Sequence, residues 1–507
     1  MALEFSLGTS NMNQKFLLKL MPVAVLAVLS GCGGSSSTFS DSYDKQLQET
    51  IEERNLTGDP SEGRTIPDID DPKVQLGMQL FFSKALGGDQ DSACVTCHHP
   101  FLGGGDDLSL SIGVEAEIPD LLGPGRAHSV AGTHYDGGPT VPRNAPTTFN
   151  MALWDQYVFH DGRVESLTKT PGQNGADGGI RTPDSALDVA DANAGANLTV
   201  AQARFPVTSP EEMRGFTFEA GNDNAAVRTH LSERLQGVGG ELVVNQWLEA
   251  FRTGFDSPAG TAEELITFAN ITDAIAEYER SQVFVENPWK AYVEGDDSAL
   301  TMEQKQGAML FFNSVADGGA GCAGCHSGDF FSDEDFHVLA IPQIGRGKGD
   351  GDTGTDDFGR FRETGEEADR YAFRTPSLLN VTETGPWGHD GAYTTLEGMV
   401  RHHLNPSQAI ANYDVNQLDS SVQTDDMDTN TQLALTKLLQ AQAAGESLLV
   451  NVDLSDDEVA QLLAFLDALT DPCLTDRSCI GQWVPDDSVA DPDELRVNAV
   501  DQAGDPL

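Results

Sequence analysis

Apolar residues recur at helical spacing in several stretches of the chain. Residues 225–251 and 262–278 show this pattern, and Ile271 and Ile275 would share one face of the second helix. A last amphipathic helix is predicted over residues 454–469. The regular structure is therefore expected to be mainly α-helical.

Long polar or glycine-rich stretches separate these helices. Residues 103–142 are rich in glycine and proline, which predicts an extended loop. Residues 164–199 are rich in Gly, Asp, Ala and Asn with little periodicity, and they are predicted to form a surface insertion. Another soft, acidic stretch covers residues 345–359, where a solvated turn is favoured over a calcium loop because the expected glycine is absent.

One short motif occurs twice among these elements. Each copy has two cysteines three positions apart and a histidine directly after the second, which is the attachment signature of a c-type haem. The cysteines would hold the porphyrin through thioethers, and the histidine would supply the proximal iron ligand. A Cys-x-x-Cys redox pair or half of a zinc site would leave both histidines unexplained. The motif residues are Cys94, Cys97, His98, Cys322, Cys325 and His326.

The sequence around the motifs is repeated as well. Residues 76–82 precede the first copy and residues 306–312 precede the second, and each segment ends in Leu-Phe-Phe. A His-Asp-Gly turn follows each motif histidine, at His160 after 62 residues and at His389 after 63 residues. Matching order and spacing predict an internal duplication. The fold class predicted is mainly α, with two cytochrome c-like haem domains packed against each other, long loops and few strands.

The chain has 507 residues, of which 39% are hydrophobic, and this is enough for two or three domains. Its formal net charge of −50 argues strongly against nucleic acid or an anionic bilayer surface as a partner. The predicted organisation is a signal peptide (1–31), a tether (32–64), a first haem domain (65–288, with the insertion at about 164–199), a second haem domain (289–470) and an irregular tail (471–507).

The N-terminal residues have the features of a targeting segment. Lys15 and Lys19 precede an apolar run over residues 21–29 that is too short to span a bilayer. Residues 29–32, Leu-Ser-Gly-Cys, resemble a bacterial lipobox. Cleavage there would leave Cys32 as a lipidated first residue, so the mature protein would be membrane-tethered only through a lipid anchor. The alternative is a plain secretory signal with an accidental cysteine.

Two cysteines belong neither to the motifs nor to the lipobox. Cys473 and Cys479 form an even remainder in an exported chain, which suggests a local disulfide in the tail.

With both motifs and their surroundings in place, residues of about 73–469 resemble the bacterial di-haem cytochrome c peroxidase and MauG superfamily. The resemblance implies that peroxide meets the N-terminal haem and that the C-terminal haem exchanges electrons with a donor. It also places a distal iron ligand fourteen residues after the second His-Asp-Gly histidine, at His403, with the adjacent His402 as the alternative. Peroxidases of the family are similar but have methionine there, and MauG has tyrosine. A bis-histidine second haem is therefore expected.

The first module differs at the corresponding position, which is Asn174, a poor iron ligand. An open sixth position is therefore expected on the first haem. The segment around Gln202, Pro206 and Glu212 resembles the family's distal pocket in spacing. By this resemblance Glu212 would transfer a proton between the peroxide oxygens, and Gln202 would orient them. The alternative is that Glu212 merely occupies the first turn of a helix.

Two further positions depart from the family's pattern. Resting peroxidases carry a blocking histidine after a Ser-x-Gly in the first loop, and here Val114 occupies that position. Blockage at rest is not expected, although His128 or His134 remains a candidate ligand. The family's tryptophan between the haems is replaced by His160 in an otherwise similar turn, so His160, Trp154 and Trp387 are candidate electron relays.

The resemblance also implies a calcium ion between the haems. Asn144, Thr384 and Pro386 match that site, and an amide with backbone carbonyls suits a hard cation.

The sequence thus predicts a di-haem oxidoreductase that reduces hydrogen peroxide at the first haem with electrons passed through the second. Oxidation of a protein side chain is a further expectation from the resemblance to MauG. The electron donor stays open between a small cytochrome, a cupredoxin and a protein substrate. A lipid-anchored electron-transfer protein with no substrate of its own is the alternative function. The predicted location is the periplasm or cell envelope, with the lipid anchor in the outer membrane.

Overall fold

The computed structural model of the protein describes residues 36–132, 134 and 137–507, with side chains from residue 42 onward. The predicted signal peptide and the lipid anchor at Cys32 lie outside the described residues. None of the described helices combines the length and the apolar content needed to cross a bilayer.

Helices dominate the regular structure, and the few strands are two or three residues long. The helices are α1 (Ser36–Arg54), α2 (Pro72–Phe82), α3 (Leu198–Gln202), α4 (Asn224–Gln236), α5 (Trp247–Gly254), α6 (Ala262–Leu265), α7 (Phe268–Ser281), α8 (Pro288–Val293), α9 (Met302–Phe312), α10 (Phe361–Thr364), α11 (Leu396–Leu404), α12 (Pro406–Ala411), α13 (Met427–Ala444), α14 (Asp456–Asp467) and α15 (Arg477–Ile480). The strands are β1 (Tyr157–Val158), β2 (Val164–Ser166), β3 (Ile180–Arg181), β4 (Phe336–Val338) and β5 (Ala372–Arg374). The antiparallel sheets have the orders β1-β2-β3 and β4-β5. The mainly helical prediction is confirmed.

The same helix crossing occurs once in residues 65–288, called the first module here, and once in residues 289–470, the second module. Helix α2 crosses α7 in the first, and α9 crosses α14 in the second. A Cβ on Gly77 would lie 1.9 Å from the carbonyl oxygen of Ala274, and a Cβ on Gly307 would lie 1.9 Å from that of Gln461. Only glycine permits either crossing, and this equivalence supports the predicted duplication.

Two large hydrophobic cores follow from these crossings. The first is built around α2, α4, α5 and α7 and includes the fully buried Trp247. The second is built around α8, α9 and α14 and includes the fully buried Trp289. Each core lies behind one Cys-x-x-Cys-His motif, so each motif is attached to a rigid helical support.

The structure differs from the sequence prediction in the segment expected to be a tether. Residues 36–54 form α1, and Leu47 and Ile51 are buried in the second core. Lys305 of α9 forms an ion pair with Asp44 at 2.6 Å. The Ser/Gly-rich start of the segment hid an amphipathic helix whose apolar side faces the second module.

The predicted surface insertion is also more ordered than its composition indicated. It contains β2 and β3, and the side chain of Asn174 is buried, donating to the carbonyls of Met151 (3.0 Å) and Trp154 (2.8 Å). Arg204 holds the insertion through Asp191 (2.5 Å) and Asp184 (3.1 Å). Ion pairs and a small core order this segment, although its sequence has little periodicity.

The C-terminal tail has little regular structure, as predicted, but it packs against the first module. Asp493 accepts hydrogen bonds from the indole of Trp247 (2.8 Å) and from Ser83 (2.7 Å). The structure contains the expected disulfide between Cys473 and Cys479.

Buried ion pairs join the two modules. The guanidinium of Arg143 donates two hydrogen bonds to Asp357 of the second module. It donates a third to Asp161 of its own module. The pairs that cross between the modules are Arg143–Asp357 (2.7 Å), Arg360–Glu165 (2.8 Å) and Arg181–Glu363 (2.5 Å).

Candidate active site

Both haem-attachment motifs open into one cavity of about 1180 Å³ between the modules. Ligand pockets usually measure about 300–1,000 Å³, so this cavity suits more than one large group. The four motif cysteines are free thiols, and all of them line the cavity. The free thiols, the cavity size and the flanking histidines together fit two c-type haems.

The second motif histidine faces His403 across this cavity. The ring centres of His326 and His403 are 6.3 Å apart. Two imidazoles bound to one metal at about 2 Å each would have their ring centres about 6 Å apart. The Nδ1 atoms contact the carbonyls of Phe331 (3.1 Å) and Met399 (2.9 Å), which leaves both Nε2 atoms for a metal. The pair therefore has the geometry of a bis-histidine iron site.

His402 is used differently although it is the next residue on α11. Its Nδ1 accepts a hydrogen bond from the hydroxyl of Tyr393 (2.7 Å), and its Nε2 contacts the carbonyl oxygen of Leu339 (2.8 Å). Both ring nitrogens are occupied, and His402 does not line the cavity. His402, the alternative ligand from the sequence, therefore has no ring nitrogen available for a metal in this conformation.

Burial keeps the iron-facing histidines neutral. It lowers the pKa of His98, and it lowers the pKa of His326 to about 4 with help from the nearby His403. The Nδ1 atom of His98 contacts the carbonyl of Gly104 at 3.1 Å, which fixes the ring and leaves Nε2 available. A neutral imidazole oriented through its other nitrogen is what metal ligation requires.

The three residues expected in the distal pocket line the same cavity. Gln202 is the last residue of α3, Pro206 starts the following turn, and Glu212 lies on the π-helical turn Pro210–Arg214. The Oε1 atom of Gln202 is buried without a hydrogen-bond partner among the described residues. A buried acceptor without a partner fits a ligand in the cavity that donates a hydrogen bond to it.

Glu212 is a buried carboxyl in a mixed electrostatic environment. Burial raises its pKa, and the cations Arg163 and Lys348 oppose that effect without cancelling it. Burial also raises the pKa of the Cys97 thiol, and the carboxylates of Asp106 and Glu212 raise it further. Glu212 therefore lies beside the first attachment motif, with a pKa nearer to neutrality than that of an exposed glutamate.

The loop that would carry a blocking histidine packs on the backbone of this π-helical turn. A Cβ on Gly113 would lie 2.3 Å from the carbonyl oxygen of Glu212, and Val114 N donates to that of Glu211 at 3.3 Å. His128 and His134, the other candidates, are both outside the cavity lining, and His134 stacks on Phe216 with ring centres 3.8 Å apart.

No described histidine faces His98 as His403 faces His326. His160 lines the cavity, but its Nε2 contacts the carbonyl oxygen of Asn144 at 3.1 Å. The two sites are therefore asymmetric in the part of the chain that the structure describes.

The candidate electron relays all line the cavity between the two motifs. The guanidinium of Arg374 lies 3.5 Å from the ring centre of Trp154, and the indole of Trp387 donates to Val381 O at 2.9 Å. Burial, followed by the charge of Arg143, lowers the pKa of His160 to about 4, so this ring is neutral. Their roles as relays stay predictions.

The structure does not test the calcium prediction. Asn144, Thr384 and Pro386 line the cavity, and the Asn144 amide nitrogen donates to the carbonyls of Leu108 (2.9 Å) and Ser109 (3.2 Å), so that only its oxygen could bind a cation. In the acidic turn over residues 345–359, Asp350 pairs with Arg362. A calcium ion stays a prediction.

One group of potential ligands outside the iron sites consists of Cys325, Asp333 and His337. The sulfur of Cys325 belongs to the second haem motif, and His337 is hydrogen-bonded to Asp333 at 2.8 Å. Thioether formation would remove the sulfur as a ligand, so this group does not form a separate metal site.

Two cations of the pocket were not found from the sequence. Arg163 follows the His-Asp-Gly turn and stacks on Phe159, with 3.6 Å between the guanidinium and the ring centre. Lys348 comes from the acidic stretch for which the composition favours a solvated turn. No sequence signal connects Lys348 to Glu212, because the two residues lie in different modules.

Comparison with known proteins gives a family match that covers mainly the first module. Residues 71–298 match the family described as di-haem cytochrome c peroxidase. The match covers under half of the chain, and the chain is similar to oxidoreductases of the di-haem cytochrome c peroxidase and MauG superfamily, a family whose description implies two haems.

Individual relatives are moderately similar. The methylamine utilization protein MauG of Methylorubrum extorquens is 28% identical over 395 residues, covering 76% of this chain and 85% of that protein. The cytochrome c551 peroxidase of Pseudomonas aeruginosa is 26% identical over 333 residues, covering 66% of this chain and 71% of that protein. The cytochrome c peroxidase Ccp of Escherichia coli is 28% identical over 332 residues, but only 53% of its length is covered.

Solved structures show the same fold. A MauG-like protein associated with microbial copper homeostasis aligns with a TM-score of 0.51 at 21% identity, covering 85% of this chain and 97% of that one. The diheme peroxidase BthA from Burkholderia thailandensis aligns with a TM-score of 0.52 at 19% identity, covering 86% and 92%.

Proposed function

We propose that this protein reduces hydrogen peroxide at the His98 haem, using electrons that pass through the His326/His403 haem. The asymmetry of the two histidine sites carries this proposal. His326 has a second imidazole in front of it, whereas the wall near the first motif offers the carboxyl of Glu212 and the amide of Gln202. A site closed by two protein ligands relays electrons, and an open one accepts an oxidant.

A bound c-type haem would supply one-electron redox chemistry and a Lewis-acidic iron. The chain's own residues supply the proton transfer. Glu212 takes a proton from one oxygen of hydrogen peroxide and returns it to the leaving oxygen, while Gln202 accepts a hydrogen bond that orients the substrate. Pro206 fixes the turn between them. Two electrons and two protons convert the peroxide into two waters.

The histidine at position 403 bears on where the electrons come from. Methionine and histidine together raise a haem potential, so two histidines favour a lower one. Uptake of electrons from a high-potential cytochrome or cupredoxin is then less favourable. This favours, as a second candidate function, oxidation of a protein side chain whose electrons travel through Trp387, Trp154 or His160.

The remaining proposals concern organisation and location. We propose that the haem domains are residues 65–288 and 289–470. The protein is exported to the periplasm or cell envelope and held at the outer membrane by a lipid on Cys32. The N-terminal sequence pattern supports the last proposal.

The test uses the holoprotein and the variant Glu212→Gln. General acid–base catalysis contributes about 10²–10⁴-fold, so we expect peroxide turnover to fall by that factor while both haem spectra persist. Turnover of the unmodified protein should fall as the pH drops through the raised pKa of Glu212, because the carboxyl must be ionised to accept the proton. Full turnover by Glu212→Gln would refute its assignment.

Resting-state electron paramagnetic resonance separates the enzyme from a simple electron carrier. We expect one high-spin signal from the His98 site and one low-spin signal from the His326/His403 site. Two low-spin signals that persist after partial reduction, with no consumption of peroxide, would instead establish the electron-transfer alternative.

A further inference from the structure

Lys348 belongs to the second module but lines the cavity beside the first. It lies in the glycine-rich stretch at residues 345–354, between β4 and α10. Its side chain contributes to the cavity wall together with Glu212 and Arg163, which belong to the first module. The stretch also packs close to the turn of Glu212. A Cβ on Gly345 would lie 2.2 Å from Leu110 Cδ1, and Gly113, three residues further along that loop, packs against the carbonyl oxygen of Glu212.

The backbone around Lys348 is held firmly in this position. Lys348 N donates to the carbonyl of Asp356 at 2.9 Å, and Asp350 pairs with Asp356 across the same narrow turn. The carboxylate of Asp356 accepts from the Tyr371 hydroxyl at 2.7 Å. Gly347 has a φ of +63°, and a Cβ there would lie 2.2 Å from a backbone carbonyl oxygen. The turn thus fixes the backbone of Lys348 at the wall of the cavity.

The carboxylates that act on Lys348 are bound to another cation. Asp161 and Asp357 both bind Arg143, at 2.6 Å and 2.7 Å. Among the described residues, no carboxylate lies within ion-pair distance of the Lys348 ammonium. Its positive charge is therefore directed at the cavity itself.

Lys348 has a shifted pKa, and its charge also affects the pKa of Glu212. Burial lowers the pKa of Lys348 to about 8, and the cations Arg143 and Arg163 contribute to that shift against Asp161 and Asp357. Even so, the ammonium form predominates at neutral pH. The same ammonium opposes the effect of burial on the pKa of Glu212.

We propose that Lys348 is a positioning residue of the peroxide site, supplied across the module interface, whose ammonium stabilises the Glu212 carboxylate. This inference rests on the proposed role of Glu212. Three other groups shift the pKa of Glu212: the guanidinium of Arg163, the carboxylate of Glu211 on the same π-helical turn and the hydroxyl of Ser209. Arg163 is shared with Asp161 at 3.3 Å, so Lys348 is the less committed of the two cations.

The first test is the pH profile of peroxide turnover by the holoprotein. An opposite charge near a carboxyl lowers its pKa by about one unit or more, so the acid limb of kcat/KM should move up by about one pH unit in Lys348→Met. At a pH below the limb, this corresponds to about a tenfold loss. The plateau at high pH should be unchanged, and Lys348→Arg should restore the original limb.

The second test does not depend on turnover. Infrared difference spectra can follow the protonated-carboxyl stretch of Glu212, identified as the band that disappears in Glu212→Gln. We expect this band to persist to a pH about one unit higher in Lys348→Met than in the unmodified protein. Lys348→Gln provides a second neutral side chain for both tests if the methionine variant does not fold.

Lys73→Met is the matched control, since it removes one positive charge from the same protein. Lys73 forms a surface ion pair with Asp273 at 2.8 Å, away from the cavity, so neither the limb nor the band should move. An unmoved limb and band in Lys348→Met, or equal shifts in the control, would overturn the role of Lys348. Full turnover by Glu212→Gln would instead overturn the role of Glu212, and the infrared shift would still report whether Lys348 acts on it.

Discussion

His402 and His403 are adjacent on α11, yet their surroundings give them different chemistry. Tyr393 and Leu339 occupy both ring nitrogens of His402, whereas His403 keeps its Nε2 toward His326. Neighbours on a helix point about 100° apart, so only one of them can face the cavity. The structural environment therefore separates two residues that spacing alone left as alternatives.

We expect the replacement His403→Met to keep the second haem six-coordinate and to raise its midpoint potential. Methionine with histidine raises haem potentials, and the rise should be on the order of 0.1 V within the roughly 0.8 V that axial ligands span. A redox titration followed by absorbance measures it. His402→Gln is the matched control, and its low-spin signal should persist. An unchanged potential in His403→Met would show that His403 is not the ligand.

Much of this site was accessible from the sequence because its signals are local. The haem motifs are contiguous, and both His403 and Glu212 followed from spacing within one segment of the family pattern. Lys348 was missed for the opposite reason. Its function depends on a residue in the other module, and the composition of its own turn indicates only solvent exposure.

At the scale of elements, α1 shows how composition can mislead. The glycine and serine residues before it suggested a tether, but Leu47 and Ile51 are four positions apart and share one helix face. That face fills a groove of the second core beside α8 and α9. The helix is stable because of this packing, which depends on residues far away in the sequence.

We expect Leu47→Ala to destabilise the protein by about 2–5 kcal/mol, because the leucine is fully buried and leaves a cavity. Equilibrium unfolding in denaturant, followed by far-ultraviolet circular dichroism, measures the change. Lys45→Ala on the exposed side of α1 is the control, and its midpoint should not move. If both variants unfold alike, α1 is a tether after all.

On the scale of the whole molecule, buried ion pairs connect the two modules. Burial raises the pKa values of Asp161 and Asp357, but Arg143 lowers them by more. The pKa of each carboxyl therefore lies well below its ordinary value, and both groups stay ionised. A carboxylate with a depressed pKa in the folded state contributes stability above its unfolded pKa of about 4, and this is lost as the pH falls toward the folded value. The junction should therefore hold throughout the neutral range.

Arg143→Met tests this junction, because it leaves two buried carboxylates without their cation. Removing one partner of a buried pair costs about 3–5 kcal/mol, so we expect a loss of that size in the free energy of unfolding at pH 7. The loss should shrink below about pH 4, where protonated carboxyls no longer need a cation. Denaturant unfolding at both pH values measures the difference. Arg252→Met, which breaks a largely exposed pair with Glu249, should cost about 1 kcal/mol or less at either pH. A loss in Arg143→Met that did not depend on pH would assign the contribution of Arg143 to packing instead of charge.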